Sequence, residues 1–288
     1  MSTVLITGSS TGIGFESALA FGRAGHTVVA TMRNPSRAPE LADIAARERL
    51  PITVLTMDVD SDSSVRHAIT EIGRTIGAID VVVNNAGIER MGSVEQLPMT
   101  EFRAVMETNY FGVIRCIQAV LPAMRERRSG CIINIASVAG QIALSPMACY
   151  TASKYALEAL SECLAQEVKA FGIRVAIVEP GIIDTAMARS ISSQDASSIY
   201  PQRLRNAGLF AAALANPAPP SLVADKVLEI ATSGSWQLRH PVGPDAAPFL
   251  GWRRQMTDEA WVDFGALDDD AWYERVKTDF GLDARPAM

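Results

Sequence analysis

The stretch Tyr150-Thr151-Ala152-Ser153-Lys154 sets a phenol and an ammonium four residues apart, which on a helix is a single face. A lysine beside a tyrosine favours the phenolate, and a tyrosine with its ordinary pKa near ~10 needs such help to exchange protons near neutrality. Lowering that value to ~7 takes roughly 4 kcal/mol of differential stabilisation. The chemistry is that of a general acid serving a carbonyl, or of a general base serving an alcohol. Spacing alone does not decide, because Tyr273 and Lys277 repeat the pair near the C-terminus. An isolated pair of this kind is more often a tyrosine on a core face with its lysine in solvent.

The chain must supply the elements that position such a pair. Its 288 residues suffice for one α/β domain with helices on both faces of a sheet. A net charge of -6 argues against a nucleic-acid or anionic-membrane surface, which would need clustered Lys and Arg. Cys116, Cys131, Cys149 and Cys163 show no C-x-x-C spacing and read as free thiols of a reducing compartment. The first residues run directly into Val4-Leu5-Ile6 with no signal peptide, and no stretch is long enough for a membrane span, so the expectation is a cytoplasmic protein. His26, His67 and His240 are scattered, and no metal site is expected.

Short β-rich runs alternate with helical patterns. Strands are expected at 3–7, 27–31, 53–57, 80–83, 131–135, 175–178 and 237–242, the third as a buried run. Ser61 and Ser221 read as helix caps, and a helical pattern at 100–128 carries Asn109 in its interior and Pro122 near its end, where a kink or stop is expected. This alternation indicates a parallel sheet with crossover helices. Ligands of such sheets gather at the carboxyl ends of the strands, where Gly8, Asp58 and Asn84 fall. In Thr7-Gly8-Ser9-Ser10-Thr11-Gly12-Ile13-Gly14 the glycines permit a tight turn and close backbone approach, with N–H groups and a helix dipole facing a pyrophosphate. After the second strand come Met32 and Arg33 where an acid would bind an NAD ribose; an arginine there suits the NADP phosphate, or is simply an exposed loop charge.

Taken in order, Gly8/Gly12/Gly14, Asn84-Asn85-Ala86-Gly87, Asn109, Ser137, Tyr150/Lys154 and Pro180-Gly181 resemble the short-chain dehydrogenase/reductase family over roughly residues 3 to 245. Val29 to Arg33 and Pro241 to Ala246 look most like its hydroxysteroid and retinol dehydrogenase branch. The resemblance implies a Rossmann-type doubly wound parallel sheet of about seven strands and an NADP(H)-dependent oxidoreductase, with NAD(H) as the other candidate cofactor. Tyr150 would then be the proton donor in reduction, Ser137 would hydrogen-bond the carbonyl, and Lys154 would hold the nicotinamide ribose and depress the Tyr150 pKa. Asn109 would position a water linking Lys154 to solvent. Cofactor contacts would come from Gly8, Ser10, Gly12, Ile13, Gly14, Arg33, Val59, Ala86, Gly87, Tyr150, Lys154, Pro180, Gly181 and Ile183, with Asp58 at the adenine, Asn85 at the adjacent ribose and Thr185 at the carboxamide.

A catalytic domain is expected over 1–245, with 186–220 as a mobile covering segment, followed by a helical extension at 246–288 that contains Trp252, Trp261 and Trp272. Substrate lining is expected from Gln141, Ile142, Leu144, Met147, Cys149, Met187 and Ile191, a largely apolar set suited to a lipid-like or aromatic ketone or alcohol. The helices at 100–128 and 149–171 resemble those through which relatives pair as homodimers or homotetramers. A protein that holds NADP as a sensor without turnover is the competing reading, but it has no need of Ser137, Tyr150 and Lys154 together.

Overall fold

The computed structural model describes residues 1–192 and 198–286 of the chain. Residues 193–197, inside the expected covering segment, lie outside the described residues. Seven strands, β1 (Thr3–Thr7), β2 (Thr27–Met32), β3 (Ile52–Thr56), β4 (Val81–Asn84), β5 (Gly130–Ile135), β6 (Ile173–Pro180) and β7 (Arg239–Val242), form one parallel sheet in the order β3-β2-β1-β4-β5-β6-β7. The α/β class and the seven-stranded sheet are as expected. The third strand departs from expectation: β3 alternates half-buried and exposed residues because it is an edge strand, paired only with β2.

The period-2 alternation of the strands splits the core into two layers. Val4, Ile6, Val28, Ala30 and Ile133 pack on one face against α1 (Gly12–Arg23), α2 (Glu40–Glu48) and α9 (Pro220–Ser233). Leu5, Val29, Val82, Ile132 and Ile177 pack on the other against α3 (Asp62–Thr75), α5 (Gly112–Arg127) and α6 (Ala148–Val168). Strand order reverses direction between β1 and β4, so the loops at their carboxyl ends diverge and leave a crevice.

Local details follow the residues. The Ser61 side chain caps α3 by accepting from Ser64 N–H, as expected. The expected Ser221 cap is not found: α9 starts at Pro220, with Pro219 in the capping position, since proline at the first helical position gives up an N–H that has no partner there. Pro122 does not stop α5, which runs on to Arg127. The helical pattern at 100–128 is instead interrupted earlier, where α4 (Met99–Met106) joins α5 through a π-helical turn at Glu107–Phe111 that contains Asn109. The covering segment contains α7 (Ala186–Ser192) and α8 (Gln202–Leu214), and the chain beyond β7 forms α10 (Ala246–Arg254), α11 (Asp258–Ala266) and α12 (Asp269–Phe280).

No helix among the described residues is long and apolar enough to cross a membrane. Ile133 is fully buried in the centre of β5. Ile133→Ala should cost about 2–5 kcal/mol through lost burial and the cavity left behind, read as a lower midpoint in chemical denaturation with an unchanged slope.

Candidate active site

The crevice opens into a cavity of about 390 Å³. Its first wall is the glycine loop between β1 and α1. Gly8 has φ 69° and lies so close to the β4 loop that a Cβ there would come within 2.7 Å of Ala86 Cα. Gly14 does not line the cavity; it lets α1 close on the loop, where a Cβ would meet Gly8 O at 2.5 Å. Thr11 stands at the N-cap of α1 without a side-chain cap, so the first N–H groups of the helix are left to an anionic ligand. The Thr7 hydroxyl accepts from the N–H groups of Asn85 (3.0 Å) and Ala86 (2.9 Å). Asn85 Nδ2 donates to the Thr7 and Gly8 carbonyls at 2.9 and 3.0 Å. Asn85, expected at the ribose, lines the cavity, and its side-chain nitrogen holds the glycine loop to β4.

The other expected cofactor residues reach the cavity: Ser10, Gly12, Ile13, Arg33, Asp58, Val59, Ala86, Gly87, Pro180, Gly181, Ile183 and Thr185 all line it. Arg33 is exposed and makes no side-chain hydrogen bond or ion pair among the described residues. The loop after β6 is held from behind by Asp245, whose carboxylate accepts from Ile182 N–H at 2.7 Å. A nicotinamide dinucleotide fits these residues: glycine backbone and a free helix N-terminus for the pyrophosphate, and an unpaired guanidinium at the end of β2.

Ser137, Tyr150 and Lys154 line the same cavity. Ser137 follows β5, donating to Pro180 O at 3.4 Å and accepting from Ala139 N–H at 3.1 Å. Tyr150 and Lys154 lie one turn apart on α6, with the ammonium 5.5 Å from the phenol ring centroid. Lys154 is 5 % exposed and donates to Ile135 O at 2.7 Å. The expected depression of Tyr150 is not what the structure shows. Burial pushes the phenol up to about 12, hydrogen bonding with Ser137 pulls it back, and the Glu89 carboxylate raises it further. The lysine's ammonium, turned to the Ile135 carbonyl, is itself pushed down to about 8 by burial, with Glu158 acting in the opposite direction.

Asn109 does not reach the cavity. Its Oδ1 accepts from Ile88 N–H at 2.8 Å, and its Nδ2 donates to Ile88 O at 2.9 Å and Ser153 Oγ at 3.0 Å. All these contacts clamp the β4 loop to α6, and the π-helical turn is what places the amide between them.

Behind Lys154 sits a buried acidic pair. Glu158 and Glu179 are 5 % and 0 % exposed, and Arg239 lies 2.9 Å from the first and 3.8 Å from the second. Burial, reinforced by Glu179, pushes Glu158 up to about 7. Gln141, expected to line the substrate site, donates to Glu179 instead and accepts from Arg254 at 2.9 Å. Cys149 also turns away, toward the Arg90 carbonyl at 3.2 Å. Ile142, Leu144, Met147, Met187 and Ile191 line the cavity as expected.

What the sequence reading missed is the roof. Phe249, Trp252, Trp261, Phe264, Trp272 and Phe280, all from the chain beyond β7, face the cavity. Trp252 packs edge-on against Trp261, Phe264 and Phe280 at centroid distances of 5.6, 5.0 and 4.9 Å. The signal was the crowding of three tryptophans into 252–272, apolar surface too large to leave in water. Tyr273 is buried outside the cavity wall, under Arg285, and Lys277 pairs with Asp283 at 3.1 Å.

The family model described as short chain dehydrogenase matches residues 2–196. The chain belongs to the short-chain dehydrogenase family. It is 34 % identical to "Oxidoreductase BOA17" of Botryotinia fuckeliana over 89 % of this chain and 95 % of that protein. It is 39 % identical to "Retinol dehydrogenase 8" of Bos taurus over 69 % of this chain and 64 % of that one. A crystal structure of gluconate 5-dehydrogenase from Burkholderia cenocepacia, in complex with NADP and tartrate, superposes with a TM-score of 0.74 at 29 % identity, covering 85 % of this chain and 95 % of that one. This short-chain dehydrogenase is accordingly an oxidoreductase acting on CH–OH groups.

Tyr150→Phe should abolish turnover while cofactor binding persists, and Tyr273→Phe should leave turnover intact; equal losses in both, measured as kcat and by cofactor titration, would contradict the placement of the two pairs. The acidic pair gives a second expectation. Glu158 ionises near pH 7 and is therefore anionic where Lys154 loses its proton near pH 8. Removing that anion lowers the ammonium's pKa further, so in Glu158→Gln the high-pH fall of kcat/KM for carbonyl reduction should move to lower pH by up to about one unit.

Proposed function

We propose that this short-chain dehydrogenase interconverts a ketone or aldehyde and an alcohol with NADP(H), on an apolar substrate of aromatic, retinoid-like or steroid-like character. The observation that supports it is one cavity walled by three groups: the glycine loop with Arg33, the Ser137, Tyr150 and Lys154 side chains, and the aromatic roof. NADPH, when bound, supplies the hydride, and NADP+ accepts it.

The chain's own residues do the rest. Tyr150, kept neutral by burial, donates its proton to the carbonyl oxygen in reduction, and Ser137 Oγ hydrogen-bonds the same oxygen as negative charge develops. In the reverse direction the phenolate is required, so oxidation should gain as pH rises and reduction should lose. Lys154 holds a positive charge beside the phenol and offers its remaining N–H groups to the ribose hydroxyls. The roof excludes water and accepts flat apolar surface, in keeping with the retinol that the relative's name carries. Asn85, Asn109 and Asp245 act by fixing the loops that carry these groups.

For the cofactor, Met32 offers no carboxylate to grip a 2′-hydroxyl or repel a phosphate, and Arg33 has a free guanidinium at the end of β2. A charge-assisted contact of roughly 1.5–3 kcal/mol corresponds to about ten- to hundredfold in affinity. Arg33→Ala should raise KM for NADPH by about that factor and leave NADH nearly unaffected. The measurement is kcat/KM with both cofactors in wild type and variant; a wild-type preference for NADH, or an unchanged ratio, would falsify the assignment.

A further inference from the structure

The two carboxyl groups behind Lys154 each leave one oxygen without a donor. Glu158 Oε2 accepts from Arg239 Nε at 2.9 Å, and Glu179 Oε1 accepts from Gln141 Nε2. Glu158 Oε1 and Glu179 Oε2 are buried and have no donor among the described residues. The two groups stand within hydrogen-bonding reach of each other. A pair of ionised carboxylates cannot use that proximity, because each only accepts. One proton held between them supplies the missing donor and cancels one of two buried like charges.

The cations around the pair do not cancel both charges. Arg239 of β7 is divided among Glu158 at 2.9 Å, Glu162 at 2.6 Å and Glu179 at 3.8 Å. Arg254 of α10 reaches Glu179 through Gln141. Gly140 lies over the pair so closely that a Cβ there would come within 2.8 Å of Glu158 Cγ, which keeps solvent out on that side. Burial pushes Glu158 up to about 7, and the Glu179 charge adds to it. Burial raises Glu179 too, but Gln141, Arg239, Arg254 and a hydrogen bond with Glu158 pull it back. Glu179 therefore favours a proton on Glu158, while Glu158 favours the anion of Glu179, and the two titrate as a unit. The carboxylate that acts on Lys154 is Glu158.

We propose that Glu158 and Glu179 share a single proton behind Lys154 and are positioning residues: Glu179 holds the proton on Glu158, and Glu158, once that proton leaves, supplies the negative charge that sustains the ammonium. The last proton of the pair leaves near pH 7, before Lys154 loses its own near pH 8. The effect on turnover rests on the proposed role of Lys154, whereas the shared proton does not.

The test follows both protons in the full-length protein. Infrared difference spectra against pH should show a carboxylic acid band that vanishes through about pH 7 in wild type. In Glu158→Gln and in Glu179→Gln that band should be lost or displaced to lower pH by on the order of one unit, because either change removes the like charge. The acid bands of Glu89, Asp60 and Asp245, which burial also raises, should stay in both variants. Arg239→Gln, which leaves the pair intact, should move the midpoint upward. Lys154, Lys169, Lys226 and Lys277 are the chain's lysines, so carbon-13 NMR of lysine labelled at Cε resolves Lys154, assigned by Lys154→Met. Its midpoint should fall by up to about one unit in Glu158→Gln and stay in place in Glu179→Gln. Absence of the wild-type band, its persistence near pH 7 in Glu179→Gln, an unmoved midpoint in Arg239→Gln, or equal displacement of Lys154 in the two Glu variants would each overturn the assignment. If the NMR midpoint moves in Glu158→Gln while the high-pH limb of NADPH-dependent 1-tetralone reduction does not, the proposed role of Lys154 fails and the shared proton stands.

Discussion

An ammonium group almost entirely out of water is the feature the site must accommodate. Isolated burial of such a charge is expensive, so the group either loses its proton or acquires partners. Lys154 shows both tendencies: its pKa is pushed down to about 8, and its proton donor is anchored on the Ile135 carbonyl at the end of β5. The carbonyl is available because β5 ends there, and β5 can end there because Ser137 turns the chain into the short helical turn that follows. Glu158, one turn farther along α6, supplies the opposite charge, and Arg239 keeps it from being repelled by Glu179 of β6.

Around that lysine the polar side chains that face the cavity are few, and those that hold them are many. A buried relay from Asn84 to Asn134 to Ser161, each contact 2.8 Å, ties β4, β5 and α6 together beneath the site. Asn109 ties the β4 loop to the same helix, and Asp245 fixes the loop after β6. Such buried contacts rigidify the geometry they hold. Ser137, Tyr150 and Lys154 inherit that rigidity, which the proposed proton transfer over a hydrogen-bond distance would demand.

The two ends of the cavity follow different physics. The end at the glycine loop is backbone: glycine contacts and helix N–H groups whose placement depends on φ values and on close approach. The opposite end is aromatic surface contributed by residues far along the chain, with Gly208 of α8 packed directly against the backbone of Ala284. This arrangement makes the last helices part of the chamber wall, and it joins the roof to the acidic pair through Arg254 and Gln141.

The sequence by itself determined the strands, the glycine loop, the order of elements and the ends of strands where a ligand gathers. These depend on period-2 alternation, on positive φ and on neighbours a few positions apart, all of which a linear chain displays. It also offered two Tyr-x-x-x-Lys pairs that are locally equivalent. Only the tertiary structure placed Tyr150 in the cavity wall and Tyr273 outside it. It also turned Gln141 and Cys149 away from the cavity, engaged the Asn85 nitrogen with the glycine loop and the Asn109 amide with Ile88 and Ser153, and folded Trp252, Trp261 and Trp272 over the site. The Trp261 indole donates to Ala143 O across 118 residues. The reason is physical: a side chain's partner at that separation is chosen by packing and by the need to satisfy buried polar groups, and neither is written in its near neighbours.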